Sequence, residues 1–420
     1  MVFLTSLATT VILSAQVASA SSARDEHGFS SHAWNECLPG PLVHPEHPAC
    51  PTAFSEDNND PNTPWTHPPS CTGSDANYCV FTNAAFPRTR GRHGISIISL
   101  HPNATTSPSP ISSIEESFLI SSSQHHHIAE PDSDPPYEVR DIHSKGKGLV
   151  ATRLIPRGSV LMVEHAAIVA DALFPISVRR DQGRLLLQEA IARLPNPDEI
   201  LGLATSSKNP NAGVPAAEDV LKTNSFTVTV AGRSHFALFP RIARINHACD
   251  PSALTKFDGK TLTNTVLAFR DIKPGEEISI SYADFGLTSQ ERQRTLLQKW
   301  GFKCTCSLCS AHPAEIAASD ARRLEIKELG EQVLQHVEKS DFSKAVEVNE
   351  KLWNAVSAEK LVSHMGDHFE VMARLCLAAG DRKGAKEYAR RALAELNGFY
   401  HGAEAEWASV GELEELVAKL

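Results

Sequence analysis

Three cysteines crowd into one short run, Cys304-Thr305-Cys306-Ser307-Leu308-Cys309. Thiolates suit zinc, and a structural zinc site is tetrahedral, so this run is one ligand short of a closed site. In an oxidising compartment the same thiols would pair as disulfides instead. Two further runs carry groups able to bind or react. Arg244-Ile245-Asn246-His247-Ala248-Cys249-Asp250-Pro251 offers an amide, an imidazole and a thiol. Gly275-Glu276-Glu277-Ile278-Ser279-Ile280-Ser281-Tyr282 ends on a phenol. Upstream, Lys145-Gly146-Lys147-Gly148 places two glycines in a loop, where the missing Cβ lets a backbone approach a ligand closely. That loop continues as strand, which argues against a dinucleotide-binding turn.

The elements that must position these groups read as short strands from Tyr137 onward. Gly148–Ile155 and Ser159–His165 are apolar runs joined by Pro156-Arg157-Gly158, a turn signal. Strands are expected again over Phe226–Val230 and Leu262–Phe269. Ile278–Tyr282 alternates, with Ile278, Ile280 and Tyr282 on one face. Leu187, Ala190, Ile191 and Leu194 recur at helical spacing over Leu185–Leu194. Thr288 and Glu291 form a capping box for a helix through Trp300, stopped by Gly301. Everything from Ala314 to Leu420 reads as helix, with stripes Phe369, Ala373, Cys376, Leu377 and Ala385, Ala389, Ala392, Leu396 separated by Gly380-Asp381. Small-residue helix pairs of this kind are like tetratricopeptide units.

Taken in order, the glycine loop, the Asn-His run, the strand ending in Tyr282 and the cysteine run resemble the SET family of protein lysine methyltransferases. The resemblance covers about Tyr137 to His312. Asn224-Ser225-Phe226, Leu238-Phe239-Pro240 and the helical C-terminal region make it similar to the SET- and MYND-containing subgroup. The MYND finger is missing, because no cysteine lies between Cys79 and Cys249, and the leader with its early cysteines looks more like fungal SET-domain proteins. The resemblance implies a mainly β SET fold of small sheets with a pseudoknot and a helical insert at about 171–222. It implies a post-SET zinc cluster at 288–312 and a SET domain at 137–287, followed by an all-α tetratricopeptide-like C-terminal domain at 313–420. It further implies S-adenosyl-L-methionine as cofactor, lined by Lys145, Gly146, Lys147 and Gly148, by Asn224, Asn246 and His247, and by Phe302 against the adenine. Tyr282 matches the catalytic tyrosine. Cys249 becomes the fourth zinc ligand beside Cys304, Cys306 and Cys309. Two positions depart from the pattern: Ala248 stands for a serine and Ser252 for an asparagine, which is expected to loosen local hydrogen bonds. The implied activity is methyl transfer to a lysine side chain of a protein, histone or non-histone; the other reading is a catalytically silent SET scaffold that binds partners through its helices.

A net charge of −10 argues against a non-specific nucleic-acid binder and suits a lysine-bearing partner such as a basic histone-like tail. Residues 1–20 are apolar, broken by small polar residues, and end in Ala18-Ser19-Ala20, which reads as a signal peptide rather than a membrane span. Behind it, 21–100 is a loop-rich Cys/Pro segment with a short strand at Arg92–Leu100. Its Cys37, Cys50, Cys71 and Cys79 suggest two disulfides in one of three connectivities. Residues 101–136 have the Ser/Pro/His composition of a linker, with a sequon at Asn103 and a solvated His125-His126-His127 run. Leader and early cysteines point to the secretory pathway, the resemblance to nucleus or cytoplasm.

Overall fold

The structure, a computed structural model, describes residues 64–71, 78–86, 93–101, 111, 134–204, 214–361, 365–399 and 408–419. The leader, Cys37, Cys50, the sequon and the histidine run lie outside the described residues.

Among the described residues, thirteen strands form three sheets. The largest contains β1 (Ser70–Cys71), β2 (Tyr78–Asn83), β3 (Ile95–Leu100), β7 (Ile168–Asp171), β8 (Ser225–Val230) and β9 (Arg233–Leu238), in the order β1-β2-β3-β7-β9-β8. Its central strands are buried on both faces, and their side chains alternate between two cores. Cys79, Phe81, Ile95, Ile97, Val169 and Ala237 enter the main β core. Tyr78, Val80, Ile98, Ile168, Phe236 and Leu238 pack on the other side against helices. Those helices are α1 (Phe174–Ser177), α2 (Arg180–Ala192), α3 (Pro197–Leu201) and α4 (Ala216–Asn224). Helix α2 begins at Arg180, earlier than its apolar spacing suggests, because its first turns face outward and Leu185 is 61% exposed.

The early segment is corrected by this sheet. Residues 21–100 read as loops with one strand, yet β2 lies inside the sheet, antiparallel to β3, which pairs in parallel with β7. Thr82 and Ser96, both buried, bond each other across β2 and β3: their hydroxyl oxygens lie 2.9 Å apart, and Ser96 Oγ donates to Ala190 O at 2.6 Å. Cys71 and Cys79, paired across β1 and β2, form a disulfide.

The second sheet runs β10-β13-β5-β4, from β4 (Tyr137–Ile142), β5 (Gly146–Ala151), β10 (Asn246–His247) and β13 (Glu277–Ile280). The third runs β11-β12-β6, from β6 (Val160–His165), β11 (Ala253–Asp258) and β12 (Thr263–Ala268). Helix α5 (Ser289–Trp300) has its capping box in place and ends at Gly301 in a left-handed conformation, φ 73°. Helices α6 (Pro313–Glu338), α7 (Phe342–Ala358), α8 (Met365–Ala378), α9 (Arg382–Phe399) and α10 (Ala408–Lys419) complete the chain. Consecutive helices share cores. Ile326 and Val333 meet Ala345 and Val348, while Ala373 meets Ala389 and Ala392. Among the described residues no helix is long and apolar enough to cross a membrane.

Candidate active site and metal centre

Strand β13 is the spine of the site. It pairs in parallel with β10, Asn246 beside Ser279 and His247 beside Ile280, and antiparallel with β5 through Glu277 and Ile278. The chain then folds round Ser279. Ser252, fully buried, donates its N–H to Ser279 O at 3.1 Å, and its Oγ accepts from Ser279 N at 2.9 Å. Ala248 N donates to Ile280 O at 3.0 Å. At Ser252, which stands where an asparagine is expected, the hydroxyl itself bonds the Ser279 backbone, while Ala248 bonds only through its backbone N–H.

The glycine loop is held from below by a residue the sequence reading left without a role. Glu277 accepts from Lys145 Nζ at 2.6 Å and from Asn246 Nδ2 at 2.9 Å. Asn246 Nδ2 also donates to Lys147 O at 3.2 Å, which leaves Oδ1 as an acceptor. Gly146 sits at φ 80°, where a side chain is strained. Gly148 serves packing: a Cβ there would lie 2.6 Å from Asn246 Nδ2 and 2.7 Å from Ile142 Cγ1. Gly148→Ala should lower stability by about 1–3 kcal/mol through overpacking, read as a reduced Tm. Glu277→Ala removes the anchor common to Lys145 and Asn246. It should weaken cofactor binding about tenfold, the scale of one charged hydrogen bond, measured by calorimetry.

Tyr282 sits where β13 ends. Its Oη donates to Ile245 O at 2.7 Å, and its N–H donates to His247 Nδ1 at 2.9 Å. Burial, then the Glu277 charge, pushes the phenol well above its ordinary range, so it stays neutral. His247 is 4% exposed, and burial pushes its pKa down to about 4. Because Nδ1 accepts, Nε2 carries the proton, and it lies 3.2 Å from Cys249 Sγ. Both ring nitrogens are thus committed inside the protein. Any contact of His247 with a cofactor runs through its backbone or ring face.

Four rings converge here. His247, Trp300 and Phe302 lie 5.3, 5.3 and 6.5 Å from the Tyr282 ring. Trp300 was not picked out from sequence, although it stands two residues before Phe302. Its Nε1 donates to Thr223 O at 3.1 Å, joining the end of α5 to α4. Asn224, next along, turns its amide to Leu203 O at 3.3 Å and Thr223 Oγ1 at 2.8 Å. An aromatic face beside carbonyl, carboxylate and amide acceptors suits a group bearing an adenine and hydrogen-bond donors.

Cys249, Cys304, Cys306 and Cys309 meet, with their ligand atoms within 4.8 Å of one another and no disulfide among them. Cys249 Sγ lies 3.5 Å from Cys309 Sγ and 3.9 Å from Cys304 Sγ. Four sulfurs on a tetrahedron about zinc would be ~3.8 Å apart at Zn–S ≈ 2.3 Å, so the thiols fit the ion. The neighbouring thiols, Cys249 first, hold Cys306 below the ordinary thiol range. Gln293 clamps the cluster from α5, accepting from Cys304 N at 3.0 Å and donating to Cys304 O at 2.8 Å.

Residues 146–283 match the SET domain family. The chain is 29% identical over 191 residues to histone-lysine N-methyltransferase set5 of Schizosaccharomyces pombe, covering 45% of this chain and 56% of that protein. It is 26% identical over 196 residues to human N-lysine methyltransferase SMYD2, covering 42% and 45%. It is 40% identical over 88 residues to human histone-lysine N-methyltransferase SMYD3, covering 20% of each. The alignments span from a fifth to just over half of these relatives' lengths. Residues 146–283 thus carry a SET domain, and part of the chain is similar to the set5 and SMYD lysine methyltransferases.

Proposed function

We propose that the chain transfers a methyl group from S-adenosyl-L-methionine to the side-chain amine of a lysine in a protein substrate. The observation that carries this reading is Tyr282, a half-buried neutral phenol whose proton is held by Ile245 O, standing among His247, Trp300 and Phe302 beside the Asn246 loop. S-adenosyl-L-methionine supplies a methyl already activated on a sulfonium. The protein's own part is to bind, orient and exclude water. Lys145, Gly146 and Lys147 line the cofactor with backbone, Asn246 and the His247 backbone hold it, and Phe302 covers the adenine. Asn224 stands at the edge of this site beside Thr223 and Trp300. With its O–H committed, Tyr282 Oη offers lone pairs that orient the incoming amine. The ring cluster desolvates that amine and favours its neutral, nucleophilic form. No general base is required of the protein, and the raised phenol pKa suits that.

Zinc on Cys249, Cys304, Cys306 and Cys309 fixes the tail that carries Phe302. The SET domain spans 137–287, the post-SET segment 288–312, and the helices from 313 onward form tetratricopeptide-like pairs. The excess of acidic over basic side chains in those helices favours a basic, histone-like tail as partner. The names of set5, SMYD2 and SMYD3 support protein lysine as acceptor.

The experiment is incubation of the purified chain with methyl-labelled cofactor, histones and a lysate. A labelled protein band, dependent on Tyr282, is expected. Cofactor binding without any labelled product would overturn the enzyme reading in favour of the scaffold.

A further inference from the structure

Two arginines are almost fully buried beside the cysteine cluster, and the proposed reaction uses neither. Arg292 on α5 is 2% exposed and Arg323 on α6 is 1% exposed. Burying a guanidinium is costly unless negative charge offsets it. Arg323 has a partner: its Nε pairs with Glu359 Oε1 at 2.8 Å. Arg322 shares that carboxylate, pairing with Oε2 at 2.8 Å, and Ser319 Oγ also donates to it. Arg292 donates Nη1 to Leu287 O at 2.6 Å, while its buried Nε has no acceptor. Two guanidiniums therefore share the Glu359 carboxylate, and Arg292 has only the Leu287 carbonyl, so positive charge is in excess here.

The cysteine cluster has the opposite imbalance. Four thiolates on a divalent zinc carry two net negative charges. Arg323, Arg322, Glu359 and Cys249 line one cavity of about 130 Å³, with the exposed Asp250 and Lys360 at its edge, opposite in charge. Leu296, one turn beyond Arg292, packs among the cysteines, and Gln293 beside it grips Cys304. Arg323 also donates to Phe285 O, in the loop that follows Tyr282.

We propose that Arg292 and Arg323 are the buried counter-charges of the zinc–thiolate cluster, and that through Arg323 metal loading is coupled to the docking of α6 and α7. The inference rests on the zinc reading of the four cysteines. Coupling of this kind is reciprocal: what docking adds to zinc affinity, zinc adds to docking.

The test uses the full chain. Metal analysis of the wild type comes first, and absence of zinc there would overturn the cluster reading itself. Zinc affinity is then measured by competition with a chromogenic chelator. Arg292→Met and Arg323→Met should weaken it by about 10–100-fold, the range for groups that support metal ligands from outside. Arg323→Lys, which keeps the charge but not the forked contacts to Glu359 and Phe285 O, should recover part of the affinity that Arg323→Met loses. If Arg323→Met fails to fold, Arg292→Met carries the test, because it leaves no buried carboxylate unpaired. Hydrogen exchange gives the second readout: stripping zinc from the wild type should raise amide exchange at 316–323 and 355–361. Zinc-bearing Arg292→Met with wild-type affinity, or zinc removal without change in those segments, would overturn the proposal.

Discussion

Tyr282→Phe should lower methyl transfer by about 10²-fold or more, the scale for deleting one oriented hydroxyl at a reacting centre. The substitution keeps the ring and its contacts with His247, Trp300 and Phe302. It removes one donor, leaving Ile245 O without the bond it accepts at 2.7 Å, at a cost of about 1 kcal/mol in stability. Cofactor affinity should change little, because Asn246 and the glycine loop remain anchored on Glu277. Single-turnover rates and calorimetric binding measured on one preparation separate these effects. The pH profile carries a further sign. A phenol raised by burial stays protonated past its ordinary range. The rate should therefore climb with pH as the substrate amine loses its proton, with no descending limb from Tyr282 below pH ~10.

Cys306→Ser should have the larger structural effect. The run 302–310 forms no helix or strand, so the cysteine cluster holds its shape. Losing one of four ligands should remove zinc, whose binding in small structural sites is worth roughly 10–16 kcal/mol. The consequence should reach the site by a short route. Cys249 Sγ lies against His247 Nε2, and His247 Nδ1 accepts the Tyr282 N–H. Gln293 loses its grip on Cys304 as well. Expected are near-stoichiometric zinc in the wild type and almost none in the variant. Cofactor binding should fall below detection, and Tm should drop sharply with the zinc. Retained zinc with normal cofactor binding would contradict the role given to the cluster.

Much of this site was legible as a linear sequence because its parts are local. The Cys304–Cys309 run, the Asn246-His247 pair, the alternation before Tyr282 and the Thr288–Glu291 box each lie within a few residues. What escaped depends on contacts across long stretches of chain. Glu277 meets Lys145 from 132 residues away, and neither side chain is unusual alone. Trp300 reaches Thr223 across 77 residues. Strand β2 escaped for a different reason: a short apolar run buried on both faces has no period to read, and its neighbours are polar and proline-rich. The resemblance gives His247 a cofactor contact, and the structure spends both its ring nitrogens inside the protein, which only three-dimensional contacts reveal.

The most direct measurement of the central claim is tandem mass spectrometry of a protein labelled by the purified, zinc-loaded chain with isotopic S-adenosyl-L-methionine. The account predicts the isotopic methyl on a lysine side-chain nitrogen, formed by the wild type and reduced about 10²-fold or more with Tyr282→Phe. A methyl on any other side chain, or a lysine product equally abundant with Tyr282→Phe, would contradict it.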